Sequence, residues 1–256
     1  MDGGVIVKSE EGFTTITMNR PERRNALSLR LMTDLTAAFR AAGESDDRGV
    51  VLAANGAVFS AGHDFADLAG ADLDALRRLL QACTELMTTM QAIPQPVVAR
   101  VHGLATAAGC QLVATADLAV AADTAGFATP GGKGGWFCHT PLVAVGRSVG
   151  RKRALELALT GDTIDAQTAA DWGLVNRVVP AAELDVATLD LLRRATRGSE
   201  ASKGLGKHAF YAQIDLPQAD AYAYALDVMA RAGVSADAQE GFAAFLAKRK
   251  PRFGTD

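Results

Sequence analysis

An α/β layered fold with a mostly parallel sheet is predicted by three features of the sequence. A β-hairpin pattern opens the chain, short apolar runs then alternate with helical periods, and after Pro180 the strand signal gives way to successive helical windows. The hairpin reads as alternating Val5-Ile-Val-Lys8, a turn at Glu11-Gly12, and β-branched Phe13-Thr-Thr-Ile-Thr-Met18, ended by Arg20-Pro21. Leu27, Leu31, Leu35 and Phe39 recur at four-residue steps behind Ser28, a capping residue type, and Gly43 closes that helix. Gly49-Val-Val-Leu-Ala-Ala54 is a short buried strand. The spacing over 72–93 predicts a long helix stopped by Pro94 and Pro96, and Val97-Val-Ala-Arg-Val101 returns to a strand. The pattern repeats as a helix over 106–115, strands over 118–122 and 126–128, a Gly-rich loop, then helices. The last windows, 183–195, 202–213, 218–232 and 237–250, are helical, and their apolar faces (Tyr222, Leu226, Met229; Phe242, Phe245, Leu246) need a covering surface, which a second subunit could supply. The domain organisation expected is a core over 1–195 followed by a helical oligomerisation region over 196–256.

At 256 residues with 49% hydrophobic content the chain can bury a sizeable core, which excludes disorder and collagen-like repeats. A formal net charge of −3 leaves no cationic excess to neutralise a nucleic-acid backbone. The start, Met1-Asp2-Gly3-Gly4, has no basic segment followed by an apolar stretch, and no run approaches the roughly 20 apolar residues that span a bilayer, so a soluble cytoplasmic protein is expected. Cys83, Cys110 and Cys138 are odd in number and lack metal-ligand spacing, so reduced thiols are expected, with no disulfide and no metal.

Two loops stand where a strand feeds a helix, the usual place for ligand sites in α/β folds: Asn55-Gly-Ala-Val-Phe-Ser-Ala-Gly-His-Asp-Phe65 and His102-Gly-Leu-Ala-Thr-Ala-Ala-Gly-Cys-Gln111. Small residues let a ligand approach unpaired backbone N–H groups, and two facing loops of this kind make an oxyanion hole. Tight packing of helix on sheet accounts equally for small residues.

The strings Thr15-Ile-Thr-Met-Asn-Arg-Pro21, Asn25-Ala-Leu27, Val58-Phe-Ser-Ala-Gly-His-Asp64, Pro96-Val-Val-Ala-Arg-Val-His-Gly103, Ala116-Asp-Leu-Ala-Val-Ala121, Leu159-Thr-Gly161 and Gly173-Leu-Val-Asn-Arg-Val-Val-Pro180 fall in order along the chain. Together with Phe245-Leu-Ala-Lys-Arg-Lys-Pro251, they resemble the enoyl-CoA hydratase/isomerase (crotonase) superfamily. The resemblance implies a crotonase-like spiral of ββα units with a C-terminal helical trimerisation region, trimers or dimers of trimers, and an acyl-CoA or enoyl-CoA thioester as ligand. No permanently bound cofactor is implied, coenzyme A entering as part of the thioester. Carried over by position, the oxyanion donors fall on the N–H groups of His63 and Ala108. The implied CoA-facing set is Arg24, Ala26, Ala61, Gly62, His63, Asp64, Phe65, Leu104, Ala108, Gly109, Phe245 and Lys248. Within the family, Gly103-Leu-Ala-Thr-Ala-Ala-Gly-Cys-Gln-Leu112, Phe127-Ala-Thr-Pro-Gly131, Phe137-Cys138 and Gln239-Glu-Gly-Phe-Ala-Ala-Phe245 resemble the enoyl-CoA hydratase domain-containing protein three subgroup. Its animal members resemble mitochondrial proteins, but no Arg-rich amphipathic presequence is present here to carry that location over.

One departure bears on the chemistry. Hydratases of this family carry two glutamates, and the matching positions here are Gln111 and Gly131. Hydration needs a base for water and an acid for the α-carbon, each worth about 10²–10⁴-fold, and neither glutamine nor glycine can serve. Classical hydration is therefore expected to be weak or absent. The loop from Gly131 to Pro141 offers His139, Cys138 and Lys133 instead, and His63 places an imidazole beside its own oxyanion N–H. Gly-His-Asp at this point also occurs in relatives that decarboxylate malonyl-type thioesters, although those carry a tyrosine where this chain has Trp136-Phe137-Cys138. The readings left open are another enolate-forming reaction, decarboxylation or thioester cleavage, using His63 or His139, and an acyl-CoA-binding protein without catalysis.

Overall fold

A computed structural model describes residues 4–254; residues 1–3, part of the start read above for the lack of a leader, lie outside them. The hairpin forms as expected, β1 (Val5–Glu10) antiparallel to β2 (Phe13–Met18). Its turn residues Glu11 and Gly12 both adopt positive φ, 55° and 76°, as a two-residue turn matched to strand twist requires. In α1 (Leu29–Gly43) the Ser28 hydroxyl accepts the Leu31 N–H, and the Asp67 carboxylate accepts the Leu29 N–H at 2.7 Å. Two of the helix's unpaired donors are thus satisfied. Leu27, read from its spacing as helical, lies outside α1 and forms a β-bridge with His63 instead.

The chain then alternates strands and helices: β3 (Val50–Ala54), β4 (Val58–Ser60), α2 (Leu73–Ala92), β5 (Val97–Val101), β6 (Leu104–Thr106), α3 (Ala108–Thr115), β7 (Leu118–Ala122) and β8 (Gly126–Ala128). After these come α4 (Pro141–Val149), α5 (Arg151–Thr160), β9 (Ile164–Asp165), α6 (Ala166–Trp172) and β10 (Arg177–Val179). Two sheets result where the sequence suggested one. The first runs β1-β2-β3-β5-β7-β10 and is parallel apart from the hairpin; the second runs β4-β6-β8-β9 with only β9 antiparallel. Each of β3-β4-α2, β5-β6-α3 and β7-β8-α4 gives one strand to each sheet before a helix, which makes the ββα spiral. The expected helix over 106–115 begins two residues late because Thr106 belongs to β6.

The first sheet is covered on both faces. One meets the main core of Ile16, Leu35, Phe39, Leu52, Leu86 and Met90. The other meets Leu184 and Leu192 of α7 (Leu184–Ala195) through Phe13, Val51, Val98 and Val120. Runs of apolar β-branched residues, unalternated in β3 and β5, follow from burial on both sides.

Beyond α7 the chain is helical: α8 (Glu200–Gln213), α9 (Gln218–Gly233) and α10 (Ala236–Leu246). α10 stops short of the expected residue 250, with Lys248 turned to φ 53°. A buried clamp ties α8 to the core. The Lys207 ammonium lies 2.7 Å from Asp117 and donates to the Met90 and Gln95 carbonyls, while the Tyr211 hydroxyl and the Val97 N–H donate to the same carboxylate. Burial lowers the Lys207 pKa against the pull of Asp117. Tyr222, Leu226, Met229, Phe242, Phe245 and Leu246 are exposed in the protomer. Among the described residues no helix is long and apolar enough to cross a membrane.

Candidate active site

Because β4, β6 and β8 lie side by side and run parallel, their C-terminal ends bring three loops together. β4 leads into 61–65, β6 into the start of α3, and β8 into 129–140. These loops enclose a cavity of about 270 Å³, with Leu80 of α2 closing one wall.

Two backbone N–H groups head this cavity. In the parallel bridge between Leu27 and His63, Leu27 donates to the Gly62 carbonyl at 2.7 Å and accepts the Asp64 N–H at 3.1 Å. In such a bridge the N–H of the middle residue points to the other side, so that of His63 faces away from Leu27. The second belongs to Ala108, first residue of α3, where no intrahelical acceptor exists. Neither N–H has an acceptor among the described residues. The two loops touch: a methyl group on Gly62 would fall 2.9 Å from the Ala107 Cβ and 3.2 Å from the Ala108 nitrogen. Ala107 makes the corner between β6 and α3 at φ 51°, ψ −118°, a conformation that suits glycine and costs other residues about 1–3 kcal/mol. Gly109 in turn packs on the Ser60 carbonyl, where a methyl would lie at 2.4 Å.

The loop ahead of His63 is anchored by charge and by Asn25. The Asn25 amide donates to the Asn55 and Val58 carbonyls and its oxygen accepts the Arg20 N–H, while the Arg24 carbonyl accepts the Ala61 N–H. Asp64 is buried and meets Arg23 at 3.0 Å and Arg20 at 3.5 Å. Burial pushes its carboxyl up, but the Ala66 N–H and the two guanidinium groups outweigh that and hold it below the ordinary carboxylate range.

The His63 side chain enters the cavity. The residue is 8% exposed, its ring centroid lies 5.8 Å from that of Trp136, and both ring nitrogens are buried. Burial pulls the imidazole below its ordinary pKa, against smaller pulls from the Leu27 carbonyl and the Asp67 carboxylate. Across from it, His139 is exposed with its ring 5.2 Å from Phe137, and Cys138 is buried, its thiol pushed up by burial against a Gly131 backbone contact.

The positions matching the family's glutamates part company here. Gly131 lines the cavity, but a methyl there would fall 2.2 Å from the Trp136 carbonyl oxygen and 2.8 Å from the Cys138 sulfur. The loop backbone has closed over the space a side chain would need. Gln111 is buried on α3 and accepts from the Cys83 thiol at 3.8 Å, outside the cavity wall. Of the other residues singled out, Ala61, His63, Phe65 and Ala108 line the cavity, while Gly62, Asp64 and Gly109 shape the loops behind it. Leu104 lies in β6, Ala26 is buried beside Asn25, and Arg24 is exposed at φ 52°. Phe245 and Lys248 are exposed at the end of α10, which packs on α8 and α9, and neither lines the cavity. Leu80, Thr106 and Trp136 complete the wall. Leu80 stands off the buried stripe of Leu79, Cys83, Leu86 and Met90, an off-face apolar position that was its one sequence signal. Among the described residues the wall holds no carboxylate, lysine or arginine.

Comparison with known proteins accords with this geometry. The enoyl-CoA hydratase/isomerase family profile matches residues 8–256. The mouse mitochondrial enoyl-CoA hydratase domain-containing protein 3 is 42% identical over 95% of this chain and 82% of its own, and a probable enoyl-CoA hydratase of Rhodobacter capsulatus is 34% identical over 95% of each. Among solved structures, an enoyl-CoA hydratase of Mycobacterium smegmatis superposes with a TM-score of 0.95 at 43% identity, covering 98% of this chain and 99% of that one. Human enoyl-CoA hydratase domain-containing protein 3 superposes at 0.94 and 40% identity, covering 98% and 100%. The cytoplasmic expectation is corrected by these relatives: the mouse, rat and human proteins are named mitochondrial.

Proposed function

The chain belongs to the enoyl-CoA hydratase/isomerase (crotonase) family, and from that premise we propose that it binds an acyl-CoA thioester with the carbonyl oxygen between the N–H groups of His63 and Ala108. The observation that carries the reading is the convergence of these two donors, both without an acceptor, at the head of an apolar cavity. Such donors polarise the thioester and stabilise the enolate that forms when a group leaves the α-carbon, and losing one costs about 3–4 kcal/mol of transition-state stabilisation. Coenzyme A enters as part of the thioester, with no permanently bound cofactor.

Classical hydration is absent or slow in this reading, because no carboxylate reaches the cavity to activate water or protonate the α-carbon. The chemistry in its place is decarboxylation, in which CO2 leaves an enolate, or thioester cleavage, in which attack on the thioester carbon gives a tetrahedral oxyanion that expels the CoA thiolate, served by His63 or His139. Acyl-CoA binding without turnover is the second reading, supported by the closure of the loop over Gly131. The active unit is a homotrimer or dimer of trimers assembled through α8–α10, whose exposed apolar side chains call for a partner surface. Titration with acyl-CoA thioesters beside a crotonyl-CoA hydration assay tests the proposal: binding with little hydration supports it, and no binding refutes it.

A further inference from the structure

The peptide between Gly62 and His63 carries one of the two N–H groups that would hold the thioester oxygen, and glycine at φ 83° lends that peptide little stiffness of its own. It is held from the side of Leu27, which donates to the Gly62 carbonyl at 2.7 Å and accepts the Asp64 N–H at 3.1 Å. The direction of the His63 N–H is therefore only as well fixed as segment 62–64 is against segment 26–28. The Arg20 guanidinium spans the two segments. It donates to the Ala26 carbonyl at 3.3 Å and to the Ser28 hydroxyl at 3.0 Å, and its other terminal nitrogen lies 3.5 Å from the Asp64 carboxylate. The second oxygen of Asp64 accepts from Arg23 at 3.0 Å and from the Ala66 N–H at 3.1 Å, so both oxygens of this buried carboxylate are engaged.

We propose that Asp64 is a positioning residue: clipped between Arg20 and Arg23, it fixes the direction in which the His63 N–H meets the thioester oxygen. The inference rests on the thioester reading above and adds the side chains on which that donor depends. Hydrogen bonds weaken steeply as an N–H turns away from its acceptor, so a rotated Gly62–His63 peptide polarises the carbonyl less even where the ligand still binds. Acting only as a charge, Asp64 would have the opposite effect. A carboxylate beside the oxyanion site repels the negative charge that develops there, and the guanidinium groups left by its removal attract it. Removing a mere point charge therefore strengthens polarisation, whereas removing the clip weakens it. A residue that served the fold alone would leave the polarisation of folded molecules unchanged.

The test is the absorbance of 2,4-hexadienoyl-CoA, a conjugated thioester whose band moves to longer wavelength as its carbonyl is polarised. It is recorded with the intact protein at saturation, so that changes in affinity drop out, and on samples that melt cooperatively. The wild type is expected to shift the band. Asp64→Asn keeps an oxygen for the Ala66 N–H but loses the charge that both arginines grip, and the expected shift is less than half that of wild type. Asp64→Ser, which also retains an oxygen for that N–H, gives the same reading where Asp64→Asn does not fold. A shift in the folded variant equal to or larger than that of wild type overturns the inference and leaves the thioester reading intact. A wild-type protein that does not bind the probe, or binds it without shifting its band, overturns both.

Discussion

Replacing Gly131 by alanine adds one methyl group, and its position is set by the backbone: 2.2 Å from the Trp136 carbonyl oxygen, 2.8 Å from the Cys138 sulfur and 3.2 Å from the Cys138 nitrogen. Ordinary contact begins near 3.4 Å, so the carbonyl has to retreat by roughly an ångström. It is not free to do so, because the Trp136 N–H donates to the Gly131 carbonyl at 3.0 Å and closes the turn on itself. Overpacking costs typically 1–3 kcal/mol, and a clash with backbone belongs at the upper end, about 2–3 kcal/mol. At about 2–4 °C per kcal/mol for a chain of this size, Gly131→Ala lowers Tm by about 5–10 °C. Thermal unfolding checks the loss, and tryptophan emission of the folded state, compared in a Trp172→Phe background, checks the loop movement at Trp136. A variant that melts within 1 °C of wild type with unchanged emission refutes the claim that the loop has taken the carboxylate's place. By the same geometry Gln111→Glu/Gly131→Glu does not restore hydration: one new carboxylate clashes, and the other points at Cys83.

Ala107→Gly relieves the corner at φ 51° and raises Tm by about 2–4 °C, read by thermal unfolding. Lys207→Met leaves Asp117 buried without its cation and costs about 3–5 kcal/mol, read from the urea midpoint. Asp64 has a folded pKa below its ordinary 3.8, so its contribution is fully present above pH 4 and is lost as pH falls through the folded value. Asp64→Asn is accordingly less stable than wild type at neutral pH, and acid unfolding curves of the two converge only once pH falls below the folded pKa of Asp64, itself under 3.8.

Elements with a strong local signal were legible in the sequence. The hairpin, α1 behind Ser28 and β5 between Pro96 and His102 each combine a clear period with a cap or a breaker. β4 and β6, three residues each, were not, because they sit inside small-residue loops with no breaker to frame them and their pairing partners, β6 for β4 and β8 for β6, are distant in sequence. Without them one sheet was read where two exist. The site divided in the same way. His63 and Ala108 could be placed as backbone donors because small residues at strand-to-helix junctions mark such loops. The orientation of Gln111 toward Cys83, the collapse of the loop on Gly131 and the burial of the His63 ring depend on contacts between distant segments, which no local pattern encodes.

The central claim, that two backbone donors hold a thioester in a cavity stripped of carboxylates, is tested most directly by measuring crotonyl-CoA binding and hydration in the same samples at high protein concentration. The account predicts saturable binding with hydration slower than that of a two-glutamate hydratase by at least 10²-fold, the share of one positioned acid or base. Hydration at the rate of such an enzyme would contradict it and require a proton-transfer group that the cavity wall does not display.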